Sequence, residues 1–253
     1  MPNLLSDLFL SLAPRRALFG LLALALAALS AGCATAPQSD PLETVNRKVF
    51  SFNDGLDRAV LKPTATAYRK VVPDAVQTGV ANFFDNLQTP WSSANLVLQG
   101  RVREGAASAA RFGVNSTIGV LGVLDVATGW GLPARSEDFG LTLDTWGIGS
   151  GPFVVLPVLG PSNVRDALSL PVDSLGTPQI SDVAVRNSLT ATRIVSKRAG
   201  MLEMTKLLDQ AALDKYAMVR DAHLKRRNRA AAALSADSHA ETQGLIAPEE
   251  PAH

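Results

Sequence analysis

The longest uncharged run outside the N-terminal segment, Thr145 to Val164, has the twenty residues that a helix needs to cross a bilayer. It also carries Gly147, Gly149, Gly151 and Gly160 and the prolines 152, 157 and 161. No continuous helix survives that punctuation. The next candidate, Phe112 to Leu124, is thirteen uncharged residues and too short to span. A bundle of membrane-spanning helices is therefore excluded, and the chain must be assembled from short pieces. Uncharged irregular backbone at lipid depth is tolerated only inside protein or along a cavity, so 145–164 reads as a packed loop or the wall of a pocket.

The pieces are amphipathic helices punctuated by Pro and Gly. Asp40-Pro41-Leu42-Glu43 reads as a helix start, with Asp as N-cap and Glu closing a capping box. Leu42, Val45, Val49, Phe52, Leu56 and Val60 follow on one stripe, which the spacing assigns to the core, and Lys62-Pro63 is the predicted end. A second helix starts at Pro73-Asp74, with Val76, Val80, Phe83, Phe84 and Leu87 on one face. A third runs from Thr89-Pro90-Trp91 to a C-cap at Gly100. Residues 101–116 make a helix rich in Gly, Ala and Ser, suited to close packing. After Pro171 and Pro178 the pattern is helical again, through Val183, Leu189, Ile194 and Val195 to a break at Gly200, then from Met201 to about Arg229. Its basic residues Arg220, Lys225, Arg226, Arg227 and Arg229 either complement the helix dipole in solvent or meet anionic head groups. Strand signals are few, and the predicted class is all-α.

The N-terminus is set apart. Arg15-Arg16 precede the uncharged run Ala17 to Ala31 and then Gly32-Cys33. The string Leu29-Ser30-Ala31-Gly32-Cys33 resembles the bacterial lipobox, which implies a signal peptide over 1–32 and acylation of Cys33, the one cysteine of the chain. Several acyl chains hold a protein on a bilayer almost permanently. Ala34 after the cysteine points, by analogy with enterobacterial sorting, to the outer membrane. Residues 33–39 read as a tether, 40–229 as the folded domain and 230–253, without Lys or Arg, as a disordered tail.

With 24 basic and 23 acidic residues, the chain has no excess charge with which to neutralise nucleic-acid phosphates. One Cys and the histidines 223, 239 and 253 supply no zinc ligand set, and no cofactor is expected. Gly149-Ser150-Gly151 lacks the outer glycines of a nucleophile elbow, since Ile148 and Pro152 stand there. His223 reads as a surface or packing residue, and Glu137, Asp138 and Asp144 as solvated acids. No catalytic or metal site is predicted.

Five strings in order carry a resemblance: DPLETVNRKVFSFNDGLDRAVLKP (40–63), VANFFDNLQTP (80–90), RFGVNSTIGVLGVLDVA (111–127), EDFGLTLDTWGIGSGPFVVLPVLGPSNVRD (137–166) and YAMVRDAHLKRR (216–227). Together they resemble the MlaA (VacJ) family of outer-membrane phospholipid-transport lipoproteins. The resemblance implies a ring of short helices around a central lipid channel, set in the inner leaflet beside a trimeric porin. It implies passage of mislocalised phospholipids to a periplasmic lipid-binding carrier, preserving lipid asymmetry without hydrolysing lipid. It also implies a gating hairpin with Gly119, Gly122, Gly129 and Gly131 as hinges, and a gating region in the first helix at Phe52 and Asn53. Trp91, Trp130 and Trp146 are read equally as head-group anchors or core aromatics. A membrane-anchored adaptor that scaffolds a porin or carrier without conducting lipid, and a lipid-modifying enzyme, remain the competing readings.

Overall fold

The computed structural model describes residues 40–178 and 180–246, the side chains from 233 onward aside. The predicted signal peptide, Cys33 and the rest of the tether lie outside the described residues, as do 247–253 and His253.

Helix α1 spans Glu43–Leu56. Its N-cap is Leu42, two residues later than the Asp40 expected from the sequence, and Glu43 pairs with Arg47 one turn on, at 2.7 Å. The helix also does not end at Lys62-Pro63. A π-helical turn, Asp57–Leu61, leads directly into α2, Lys62–Val71, and the Lys62 N–H reaches five residues back to the Asp57 carbonyl. Pro63 thereby sits in the first turn of α2, where its missing N–H is no loss.

The second and third predicted helices are one, α3, Asp74–Leu98, with Pro90 inside it. Pro90 removes one backbone bond, and the rod is held across the gap by its long packing face on α4, Val102–Thr117. Gly100, at φ +82°, closes α3 as expected: its N–H meets the Val97 carbonyl at 3.0 Å and the Arg101 N–H meets Leu96 at 2.9 Å. The small residues of α4 are used as predicted. A Cβ on Gly105 would lie 2.7 Å from Val97 Cγ2, and Ser93 Oγ donates to the Gly105 carbonyl at 2.7 Å.

A short 3-10 turn, Ala127–Trp130, precedes α5, Phe139–Thr145, capped by Asp138. The run 145–164 contains a β-hairpin rather than a loop. Strand β1, Phe153–Leu156, pairs antiparallel with β2, Gly160–Asn163, matching Phe153 to Asn163 and Leu156 to Gly160. Asn163 then caps α6, Val164–Asp173, a helix the sequence reading missed, with Pro171 inside it. After a 3-10 turn at Ser174–Gly176 come α7, Val183–Gly200, capped by Asp182, then α8, Leu202–Ala211, and α9, Lys215–Ile246. The stretch beyond Met201 is thus interrupted at 212–214. The last helix continues well past Arg229 into what had been read as a disordered tail.

Burial runs opposite to the usual pattern. Among the described residues, buried polar and charged side chains outnumber buried apolar ones, and include Asn46, Asn95, Arg101, Arg111, Asn115, Thr142, Asn163 and Arg165. Most of the apolar stripe of α1 faces outward, with Val49 alone of its residues packed on the Phe153, Val155 and Tyr216 cluster. Val45 and Phe52 are each 59% exposed and Val60 51%, whereas Asn46 is 2% exposed. Leu121, Trp130, Val158, Leu159, Leu168 and Met204 are likewise open on the outside.

Candidate functional site

Two asparagines of α1 hold the hairpin. Asn46 Nδ2 donates to the Phe153 carbonyl at 3.0 Å and its Oδ1 accepts the Val155 N–H at 2.9 Å. Asn53 repeats the arrangement, donating to Leu156 O at 2.9 Å and accepting from Val158 N at 2.8 Å. Asn46 meets one edge of β1, and Asn53, two turns further along α1, meets the chain where it leaves the strand, at Leu156 and at Val158 beyond its end. Each amide offers one donor and one acceptor, the pair that an unpaired strand edge requires. Asn53 therefore has a definite role, while Phe52, its neighbour in the expected gating region, points its bulk outward. Beneath this clasp Phe153, Val155 and Tyr216 form a small apolar core, with Phe50 edge-on to Tyr216 at 5.7 Å and Arg47 stacked over the same ring at 4.5 Å. His223 packs edge-on to Phe153 at 6.0 Å; burial, then Arg226 and Arg227, push its imidazole down to about 4. The packing role expected of it is what its surroundings provide.

The four glycines read as hinges lie in one segment and differ in surroundings. The chain reverses after α4 through Val120, Leu121 and Gly122, all at positive φ, with Gly122 at +88°. A side chain on Gly122 would collide with Asn86, and one on Gly119 with the Leu124 carbonyl. Gly129 and Gly131 face open space. The root of the loop is polar and tied down. Arg111 donates to Asp125 at 2.8 Å, Thr128 at 2.8 Å and the Leu132 carbonyl at 2.6 Å. Asn115 accepts from the backbone N–H groups of Val126 and Ala127 at 3.0 and 2.9 Å. Burial works to raise the Asp125 carboxyl, but hydrogen bonds from Thr128, Arg111 and Asn115 hold it at about 2. The outer residues, Val120, Leu121, Leu124 and Trp130, are apolar and exposed. Neither Arg111 nor Asn115 was singled out from the sequence; their one signal is spacing, two hydrogen-bonding side chains one turn apart in a helix of small residues.

Much of the remaining polar interior of α3, α5 and α6 is cross-linked, although Asn86 Oδ1 and Gln99 Oε1 are buried without a partner. Thr142 donates to Asn95 at 2.7 Å and accepts from Gln99 at 3.2 Å, and Ser92 Oγ joins the Arg135 carbonyl to the Glu137 N–H, each at 2.9 Å. The acids expected to stand in solvent each have a protein partner. Asp144 is ion-paired with Arg165, Asp138 with Arg227 at 2.6 Å, and half-buried Glu137 bonds Gln99, with burial raising its carboxyl. Arg227, from the basic cluster, bridges Asp138 and Asp166 from mid-helix, so it serves neither a helix end nor solvent. Of the tryptophans, Trp91 packs on Gly176 and donates to Asp173 at 2.9 Å, while Trp130 and Trp146 are exposed.

Ser150 is exposed and its hydroxyl reaches only the adjacent Gly151 carbonyl, at 3.5 Å. Among the described residues no His, Cys, Asp or Glu grouping could hold a metal, and no helix is long and apolar enough to cross a membrane. What the arrangement offers is a hydrogen-bonded interior under an apolar exterior.

The chain is similar to proteins of known kind. A match to the MlaA lipoprotein family covers residues 38–230. The intermembrane phospholipid transport system lipoproteins MlaA of Shigella flexneri and Escherichia coli are 37% and 36% identical over 212 residues, 79% of this chain and 83% of theirs. A Rickettsia felis protein described only as uncharacterised is 42% identical over 127 residues, so the chain spans about half the length of that relative, 51%. A chain solved in work on the structural basis for maintenance of bacterial outer membrane lipid asymmetry superposes with a TM-score of 0.67 at 35% identity, covering 77% of this chain and all of that one. The chain belongs to the MlaA lipoprotein family.

Proposed function

We propose that this protein removes mislocalised phospholipids from the outer leaflet of a Gram-negative outer membrane and passes them to a periplasmic lipid-binding carrier. It does so beside a trimeric porin, anchored through acylated Cys33, and without breaking a covalent bond. The observation that carries this reading is the inverted partition: exposed Val45, Phe52, Leu121 and Leu168 outside, and buried Asn46, Asn95, Arg111 and Thr142 within. Apolar surface on this scale is unfavourable in water and neutral against acyl chains. Irregular backbone such as 118–132 is at home at lipid depth when its polar groups are met by protein, as Arg111 and Asn115 meet them here. A ring of these helices gives a lipid a polar side for its head group and an apolar side for its chains. The 119–131 segment, polar at its root and apolar at its edge, is the gate in this reading, and Asn53 steadies the hairpin next to α1.

The test is surface-exposed phospholipid on intact cells lacking the gene, complemented with the wild type or with Cys33→Ser. Accumulation cleared only by the acylatable protein is the expected result. No accumulation, or equal clearance by Cys33→Ser, overturns anchored lipid removal. Clearance by Ser150→Ala at the wild-type rate is expected, and its loss would move the reading to a lipid-modifying enzyme.

A further inference from the structure

Gly79, Asn82 and Asn86 stand at steps of three and four on α3, so they share one face, and that face carries the crown of the turn after α4, residues 118–124. A Cβ on Gly79 would lie 2.8 Å from Val123 Cγ1, so Val123 seats where that side chain is missing. Asn82 Nδ2 donates to the Val123 carbonyl at 3.1 Å, and among the described residues this is the one side-chain bond made to the crown. Asn86 is 5% exposed and uses one end of its amide, donating from Nδ2 to Ser116 Oγ at 2.9 Å, while Oδ1 is buried and meets nothing. Gly122 lies against this amide, where a Cβ would stand 2.4 Å from Asn86 Cβ, so only a glycine leaves the amide open to the crown backbone.

The crown carries the counterpart of that unmet acceptor. The N–H groups of Leu121, Gly122, Val123 and Leu124 reach Ser116, Asn115, Val120 and Gly119 at 3.0, 2.7, 3.2 and 2.9 Å, whereas the Val120 N–H has no acceptor among the described residues. Val120 and Leu121 also stand at φ +52° and +58°, a region that a β-branched side chain enters only under constraint. A buried acceptor without a donor, a donor without an acceptor and a strained turn all weigh against the observed position, and one displacement of the crown relieves them together. Resting on the gating role proposed above for 119–131, we propose that Asn86 is a positioning residue of that gate. The crown alternates between the observed seat, held by Asn82 on the Val123 carbonyl, and a shifted position in which Asn86 Oδ1 accepts the Val120 N–H. Two asparagines one turn apart thus hold the two ends of a single movement.

Asn86→Leu keeps the branched shape and removes the acceptor, so the seated crown loses an unmet group and the shifted crown loses its anchor. Amide hydrogen exchange of the full acylated chain in detergent is expected to slow at Leu121 and Gly122 by about tenfold, the scale of one buried hydrogen bond. Cells complemented with this variant clear surface phospholipid more slowly than wild type, while its melting temperature holds. Asn82→Ala removes the anchor of the seat and speeds exchange at the same amides by about fivefold, the scale of one exposed bond. Ser116→Ala cuts the bond that Asn86→Leu also loses but leaves Oδ1 in place, and clears lipid as wild type does; a merely structural Asn86 would make the two variants alike. Unchanged or faster exchange in Asn86→Leu, or equal slowing of clearance by Ser116→Ala, overturns the alternation. If Asn86→Leu does not fold, unchanged exchange in Asn82→Ala overturns it independently. Exchange is read without lipid: the expected exchange shifts with undiminished clearance remove Asn86 from gating, whereas no clearance by the wild-type chain removes the proposed transfer itself.

Discussion

Replacing Asn46 by Ala deletes its two bonds to β1 and leaves the Phe153 carbonyl and the Val155 N–H unmet. Those residues are 5% and 6% exposed, so water does not replace the lost partner. A buried backbone group left unmet costs about 1–3 kcal/mol, and the pair, after partial relaxation, about 3 kcal/mol. At roughly 2–4 °C per kcal/mol for a domain of this size, the melting temperature falls by about 6–12 °C. Asn53→Ala removes the same two-bond hold, but Asn53 is half-buried and Val158 is 66% exposed, so solvent takes over and the loss is about 1 kcal/mol, or roughly 2–4 °C. Thermal unfolding by circular dichroism in detergent gives the two values, and hydrogen exchange at the Val155 and Val158 amides locates them. Equal melting temperatures, a reversed order, or a Val155 amide in Asn46→Ala as protected as in the wild type would refute the clasp.

Arg198, with 10% of its side chain exposed, binds Asp57 at 2.6 and 2.8 Å. Arg198→Met should cost about 3 kcal/mol in chemical denaturation, and adding Asp57→Leu should restore most of it, because the loss comes from stranding a carboxylate. The folded chain holds His223 at about 4 against an ordinary 6.5, so its contribution is complete above pH 6.5 and lost as pH falls toward 4. Allowing for partial exposure that is about 2 kcal/mol, and His223→Phe should flatten stability across this window in denaturant titrations at fixed pH. Gly122→Ala must place a Cβ against Asn86 at positive φ, and should lower the melting temperature by roughly 4–8 °C, while Gly129→Ala, facing open space, should leave it within about 2 °C.

Helix existence is legible from the small-residue content of α4, from the apolar period of α7 and from Gly100 at the terminus of α3. Proline misled in three places. Pro63 follows a π turn that absorbs its missing donor, Pro90 is carried by packing on α4, and Pro171 lies within α6; none of these supports is written locally. The hairpin escapes the sequence reading because four-residue strands leave too short a pattern, and the side chains that hold it, Asn46 and Asn53, stand more than a hundred positions earlier. The deepest misreading was of direction. Periodicity identifies the apolar face of α1 but not its direction, and a stripe that faces outward is spaced like a stripe facing a core. The polar residues that fill the interior, Arg111, Asn115 and Arg165 among them, look like ordinary surface residues until their partners are seen. The acylation expected at Cys33 lies outside the described residues.

The π turn between α1 and α2 has a consequence for azimuth. A helix turns about 100° per residue, so one additional residue in a single turn rotates everything beyond it by roughly that angle about the common axis. The rod from Glu43 to Val71 therefore addresses two neighbours in different directions without a loop between them. Its first half offers Asn46 and Asn53 to β1, and its second half sets Ala65, fully buried, toward α7. Arg198 comes from α7 and lands on Asp57, the first residue of the turn, so the change of heading is pinned where it begins. It acts as a mitred joint, letting a single rigid member turn a corner of the frame while keeping its backbone amides inside the helix.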